Sequence, residues 1–193
     1  MTPQRLARWL LPALLALLAG CGTVRSTIVD GDDRALMLRG NDPVAYFTEK
    51  RAVKGDPAIK VERDGVTYRF ASAGNRDVFL RDPVHYEPAY DGFCASGAPY
   101  ALKAFIGADV FMIYNDRLYL FGSERSRRNW AMDAAENVKT GDRLWAEETK
   151  NVPYRLQNAK RYTFKVPGYK TDAELDAERE RRRLAGTLAR EAQ

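Results

Sequence analysis

Apolar and polar residues alternate over residues 66–70, and this period of two is typical of a half-buried strand. Asp64 and Gly65 stand directly before it and favour a two-residue hairpin turn, because both central positions of such a turn take a positive φ. Residues 59–62 carry a matching short apolar and polar run. The pattern therefore predicts a β-hairpin centred on Asp64 and Gly65.

A helix is predicted directly after this hairpin. Ser72 suits the N-cap position, where its hydroxyl accepts a hydrogen bond from a backbone N–H of the first turn. The helix is expected to end near Arg81, because Asp82 precedes Pro83 and a residue before proline avoids the α region. Together the three elements form one β-hairpin–helix unit.

The same residue types recur at a constant step of 51 positions. Six residues of the first unit have counterparts in the second: Tyr68, Phe70, Ser72, Arg76, Phe79 and Asp82 correspond to Tyr119, Phe121, Ser123, Arg127, Trp130 and Asp133. One explanation is chance, because aromatic residues commonly alternate in strands. We favour an α+β fold in which two pseudo-repeated β-hairpin–helix units share one core.

Residues 40–150 are predicted to form the domain, and three segments are predicted to lie outside its core. Residues 21–39 are expected to be a linker, and residues 151–171 an extended, partly packed segment. Residues 172–193 hold six acids and five arginines with few apolar residues, which predicts a charged helical or disordered tail.

The first 20 residues have the order of a secretory signal peptide. Arg5 and Arg8 precede an apolar run at 10–18, which is too short to span a bilayer of about 30 Å. Small residues directly before Cys21 resemble the lipobox of bacterial lipoproteins, whose cysteine is acylated. This predicts lipidation of Cys21 and, because Gly22 follows it, attachment to the outer membrane facing the periplasm. The alternative is a plain signal peptide with a chance cysteine.

The segments 40–47 and 64–86 together resemble the YHS domain. Its usual pattern is D-P-V-C-G-M followed by Y-x-F-C-S-x-x-C-x-x-x-F-x-x-D-P-x-x-Y, and the residues that match are Asp42, Pro43, Val44, Tyr68, Phe70, Ser72, Phe79, Asp82, Pro83 and Tyr86. The resemblance implies an α+β domain with a thiolate site suited to soft metals. Its three cysteines fall on Ala45, Ala71 and Asn75 here, so no metal is expected at these positions.

Cys94 is a second candidate ligand. Its surroundings, Tyr90 to Ala95, resemble a Y-G-G-Y-C-A stretch in a secreted, cysteine-poor branch of the same family. His85, the one histidine of the chain, could join it as a metal ligand, with thioethers from Met112 or Met132. Copper tolerates such mixed soft ligands. The alternative is that Cys94 is a small buried residue, as free cysteines commonly are.

Charge and residue inventory exclude several function classes. A formal net charge of +5 is too small to argue for nucleic-acid binding. One histidine and no C-x-x-C motif leave little material for nucleophilic or redox catalysis, so no enzyme and no cofactor are predicted. We expect a non-catalytic binding or interaction domain for an envelope protein or a small ligand. The alternative is a copper-handling protein that uses Cys94.

Overall fold

A computed structural model describes residues 23–187, and it has the expected α+β fold. The predicted signal peptide and Cys21 lie outside the described residues. The strands are β1 (Ile28–Asp30), β2 (Asp33–Leu36), β3 (Asp56–Arg63), β4 (Val66–Phe70), β5 (Phe111–Tyr114) and β6 (Arg117–Leu120). The helices are α1 (Ala45–Thr48), α2 (Ala73–Arg81), α3 (Pro83–Tyr86), α4 (Glu124–Ala131), α5 (Ala134–Leu144), α6 (Tyr154–Thr163) and α7 (Asp172–Leu184).

The strands form two small sheets. The first has the order β1-β2-β4-β3, in which β2 and β4 run parallel and the other neighbours antiparallel. The second is the antiparallel hairpin of β5 and β6. Short 3-10 segments at Met37–Gly40, Ala89–Gly92 and Ala95–Tyr100 connect these elements.

Each hairpin leads into a helix that is capped by a serine. The Ser72 hydroxyl accepts a hydrogen bond from the Asn75 N–H at the start of α2. The Ser123 hydroxyl does the same for the Ser126 N–H at the start of α4. These bonds satisfy backbone donors that the first helical turn leaves without a partner, which is why both helices begin at these residues.

Aromatic side chains from both hairpin–helix units lie in one hydrophobic core. In the first unit the ring centroids of Phe79 and Tyr68 lie 5.0 Å apart. In the second, Trp130 lies 5.1 Å from Tyr119 and 5.5 Å from Phe121. Phe79 and Trp130 are both buried, so each helix is attached to its hairpin by one large aromatic residue.

The prediction that residues 21–39 form a linker is wrong, because this segment supplies β1 and β2. Leu36 is buried in the sheet, although its strand also contains charged residues. Asp33 is buried too, and its carboxylate accepts hydrogen bonds from Arg69 at 2.7 Å and from Lys60 at 2.6 Å. Internal ion pairing therefore places charged residues in a strand that looks like a polar linker.

The prediction of an extended segment at 151–171 is also wrong, because α6 occupies half of it. The aromatic residues that suggested extended packing are spread around and after the helix. Farther along, Thr171 and Glu174 form a capping box that begins α7. Asp176 then accepts hydrogen bonds from Arg125 and Asn129 of α4, both at 2.7 Å, so α7 packs on α4.

Candidate functional site

The three positions that match cysteines of the YHS pattern, 45, 71 and 75, surround the carboxylate of Asp42, which is fully buried. The Ala71 N–H and the Asn75 side-chain amide donate to its Oδ2 at 2.8 and 2.7 Å. The Val44 and Ala45 N–H groups donate to its Oδ1 at 2.8 and 3.4 Å. The structure thus brings positions 45, 71 and 75 together, and each donates one hydrogen bond to the same carboxylate, with a fourth from Val44.

A similar arrangement recurs at Cys94. The backbone before Asp42 has positive φ at Leu38–Gly40 (55°, 50° and 77°), and the backbone before Cys94 repeats this at Tyr90–Gly92 (57°, 50° and 77°). Both turns end in glycine, the residue that adopts positive φ at least cost. Asp42 and Cys94 therefore each follow the same left-handed turn.

The hydrogen bonds of Asp42 and Cys94 also correspond. The Asp42 N–H donates to the Val53 carbonyl at 2.8 Å, and the Cys94 N–H donates to the Ala104 carbonyl at 2.8 Å. Just as the Asp42 side chain accepts the Ala71 N–H, the Cys94 sulfur accepts the Gly122 N–H at 3.3 Å. Cys94 is thus bonded through its sulfur to the region directly after β6. Asp42 is bonded in the same way through its carboxylate to Ala71, directly after β4.

The Cys94 thiol has few polar neighbours. Besides the Gly122 N–H, its sulfur contacts the Ser96 hydroxyl at 3.0 Å. The residue is 3% exposed. Neither neighbour is a base that could take up the thiol proton, so this environment suits packing better than nucleophilic attack.

His85 does not join Cys94. Its Nδ1 lies 3.4 Å from the Asp116 carboxylate at the tip of the β5–β6 hairpin, and its ring packs on Phe47 and Tyr86. Cys94 instead pairs with Leu120, at the other end of β6. Four residues of strand separate these two ends, about 13 Å at a rise of 3.3 Å per residue.

The two methionines considered as ligands belong to other elements, β5 and the end of α4. Met112 is buried in β5 opposite Tyr119, and Met132 ends α4. Within the same residues no group of three His, Cys, Asp or Glu side chains could hold a metal ion. The copper hypothesis therefore stays a prediction that rests on Cys94 alone.

Cys94 instead lines a cleft of about 600 Å³, within the usual size range of small-molecule sites. Its lining comes from the Ala95–Tyr100 segment, from α4 and α5, and from the chain leading into α7. The rings of Tyr100 and Tyr169, both in this lining, have centroids 5.0 Å apart. Polar residues of the lining include Ser96, Ser126, Asn129, Asp133, Asn137 and Asn158.

Trp130 and Lys103 also line this cleft. Trp130 is 3% exposed, and its indole N–H has no hydrogen-bond partner among the described residues. Lys103 is buried, and its ammonium donates to the carbonyls of Val24, Lys150 and Val152 at 3.0, 3.0 and 2.8 Å. Its ammonium thus joins two backbone segments, one at Val24 and the other at Lys150–Val152.

Burial lowers the pKa of Lys103 to about 8, because removing an ammonium from water disfavours its charged form. The nearby Asp91 carboxylate acts in the opposite direction, and burial raises the pKa of Asp91 in turn. Sequence reasoning missed Lys103, since lysine is normally exposed and no neighbouring residue indicates its burial. The cleft itself was missed because its walls lie far apart in the sequence.

Comparisons of the chain with protein-family models, with curated proteins and with solved structures find no match. The YHS resemblance therefore remains a prediction from the motif residues. No helix within residues 23–187 has the length and apolar content needed to cross a membrane.

Proposed function

We propose that the protein is an envelope lipoprotein that binds a small ligand without converting it. In this proposal Cys21 is acylated, the outer membrane holds the protein, and a YHS-like domain faces the periplasm. The observation that carries the binding function is the cleft of about 600 Å³ beside Cys94. Its lining combines aromatic faces with amide and hydroxyl groups, as small-molecule sites commonly do.

The contacts of Cys94 support binding rather than catalysis. Its sulfur contacts a hydroxyl and a backbone N–H, and the only histidine of the chain pairs with Asp116 instead. Trp130 and Tyr169 give the lining aromatic residues, so the cleft favours a ligand with an apolar part.

The anchor is tested by replacing Cys21 with Ser. The wild-type protein is expected to fractionate with outer membranes and to carry acyl chains on Cys21 by mass spectrometry. The variant is expected to leave the membrane fraction. A wild-type protein with an unmodified Cys21 thiol would contradict this part of the proposal.

The cleft is tested by filling it. Ser126 lines the cleft on α4, whereas Arg128 lies on the same helix outside the lining, so Ser126→Trp and Arg128→Trp form a matched pair. Melting of both variants and the wild type is followed with a small-molecule extract of the cell envelope and with defined sugars, amino acids and organic acids. We expect stabilisation of the wild type and Arg128→Trp, and none of Ser126→Trp. Equal stabilisation of all three, or of none, would contradict the proposal.

A further inference from the structure

Positive charge is concentrated in and around α6. Residues 150–171 contain six lysines and arginines and no acidic residue. The whole chain carries a net charge of +5, so all other residues together have a net charge of −1. Glu148 forms ion pairs with Lys160 and Arg161, and Glu178 forms one with Lys170, so two of the six charges are offset. An excess of positive charge remains along residues 150–171.

The same segment exposes large apolar side chains. Leu156, Tyr162 and Phe164 are 58%, 66% and 70% exposed. Phe105 is also exposed and lies beside the start of α6, where its ring centroid is 4.9 Å from that of Tyr154. Apolar and basic side chains are thus mixed on one surface.

Hydrogen bonds on the inner side of α6 fix which residues face outward. The Gln157 side chain donates to the Ala101 carbonyl at 2.8 Å. The Asn158 side chain accepts the Lys103 N–H at 2.9 Å and donates to the Lys103 carbonyl at 2.8 Å. These bonds prevent rotation of the helix, so its outward residues form a fixed surface, the α6 face. The α6 face consists of Arg155, Leu156, Lys160, Tyr162 and Phe164.

The N-terminal end of the described chain is attached at the start of α6. The Thr23 carbonyl accepts the Tyr154 N–H at 3.1 Å, and the Val24 carbonyl accepts the Lys103 ammonium. Cys21 stands two residues before Thr23. Two residues span about 7 Å at most, so a lipid on Cys21 would hold the start of α6 close to the bilayer.

We infer that the α6 face lies on the surface of an anionic phospholipid bilayer. The inference rests on the proposed lipid anchor for its geometry and on the α6 face for its chemistry. Helices that lie in a membrane interface combine basic residues with aromatic and leucine side chains. Each Lys or Arg near an anionic surface contributes about 1 kcal/mol, and the apolar side chains add burial at the headgroup boundary.

This orientation places the cleft beside the membrane. Tyr162 belongs both to the α6 face and to the lining of the cleft. Its ring would therefore stand between the headgroups and the cleft opening.

The test uses the full chain with Cys21→Ser, so that binding is measured without the lipid. Co-sedimentation is measured with vesicles of phosphatidylethanolamine and phosphatidylglycerol, and with vesicles of phosphatidylcholine alone. The face variant replaces three exposed apolar residues, Leu156→Gln, Tyr162→Gln and Phe164→Gln. A control variant replaces three residues of similar exposure elsewhere, Val29→Gln, Leu80→Gln and Val84→Gln. Circular dichroism and melting temperature check that both variants fold.

We expect binding to the anionic vesicles that weakens with added salt, and little binding to phosphatidylcholine. The face variant is expected to bind roughly tenfold more weakly than the parent, and the control variant to bind as the parent does. Equal loss in both variants, no loss in either, or no binding to anionic vesicles would overturn the inference. Binding to peptidoglycan through this face without vesicle binding would also overturn it.

Failure of this inference is distinguishable from failure of the proposed function. Acylation of Cys21 is measured on the wild-type protein by mass, and ligand binding is measured with the Ser126 variant. Neither result depends on whether the α6 face binds vesicles.

Discussion

The buried ammonium of Lys103 predicts that the protein gains stability as the solution becomes alkaline. Lys103 is 1% exposed, and burial lowers its pKa to about 8. An unfolded chain restores a pKa of about 10.4 to lysine. Between these two values the unfolded state binds more protons than the folded state, so the free energy of unfolding rises with pH.

The size of this gain follows from the shift. Each factor of ten in proton affinity corresponds to 1.36 kcal/mol, so pKa values of about 8 in the folded protein and about 10.4 in the unfolded chain give roughly 3 kcal/mol. The gain begins above about pH 8 and is complete near pH 10.5. Below pH 8 both states hold the proton, so the cost of burying the charge is fully present there.

The assay is equilibrium unfolding in urea at pH 7, 8, 9 and 10, for the wild type and Lys103→Met. Methionine keeps an unbranched side chain between Phe93 and Trp145 and removes the titrating group. The three carbonyls that lose their donor destabilise the variant at every pH, so the informative quantity is the change with pH. Buried tyrosines such as Tyr46, whose pKa is raised by burial, titrate in both proteins and cancel in the difference.

We expect the stability of the wild type relative to Lys103→Met to increase by about 2.5 kcal/mol between pH 7 and pH 10. A difference that stays constant would refute the reasoning, because it would mean that the carbonyls and rings offset the burial cost completely. A stability difference that falls with rising pH would show that the carbonyls and rings around Lys103 raise its pKa above the ordinary value of lysine.

Three further outcomes are expected. Asp42→Ala should cost about 3–5 kcal/mol of unfolding free energy, because it leaves four donors without their acceptor, and a cost below that of Asn75→Ala would contradict this account. Phe79→Ala and Trp130→Ala should each cost about 3–5 kcal/mol in the same assay, and neutral substitutions would reject the shared core. Cys94 should react slowly with a thiol reagent in the native protein and quickly in urea, whereas rapid native labelling that copper(I) blocks would support the copper alternative.

Local patterns predicted the hairpins and their helices well. The turn at Asp64 and Gly65, the serine caps and the breaks before Pro83 act over a few residues, so the sequence shows them directly. The burial of Phe79 and Trp130 was also predicted, because each is the large aromatic residue of its helix. The structural pseudo-repeat stays a prediction, and the matching turns before Asp42 and Cys94 support it.

Contacts between distant residues explain what the sequence analysis missed. Asp33 reads as part of a polar linker because its partners, Lys60 and Arg69, stand about thirty residues away. The cleft was missed for the same reason, because its lining combines Cys94 with a segment near residue 170, far away in the sequence. The burial of Lys103 is harder still to predict from the sequence. Its ammonium is bound by three backbone carbonyls, and every residue has such a carbonyl, so no side-chain pattern indicates the site.

The parallel pairing of β2 with β4 imposes an order on folding. β2 leaves the ribosome or the export channel first, yet Leu36 pairs with Thr67, which emerges about thirty residues later. The β3–β4 hairpin is local and can form at once, whereas β2 must wait for it. During this interval the edge of β2 that later faces β4 has unpaired backbone groups, and such an edge can associate with other chains. A chaperone that holds the first twenty residues after Thr23 would therefore raise the yield of folded protein more than one that acts on the C-terminal half.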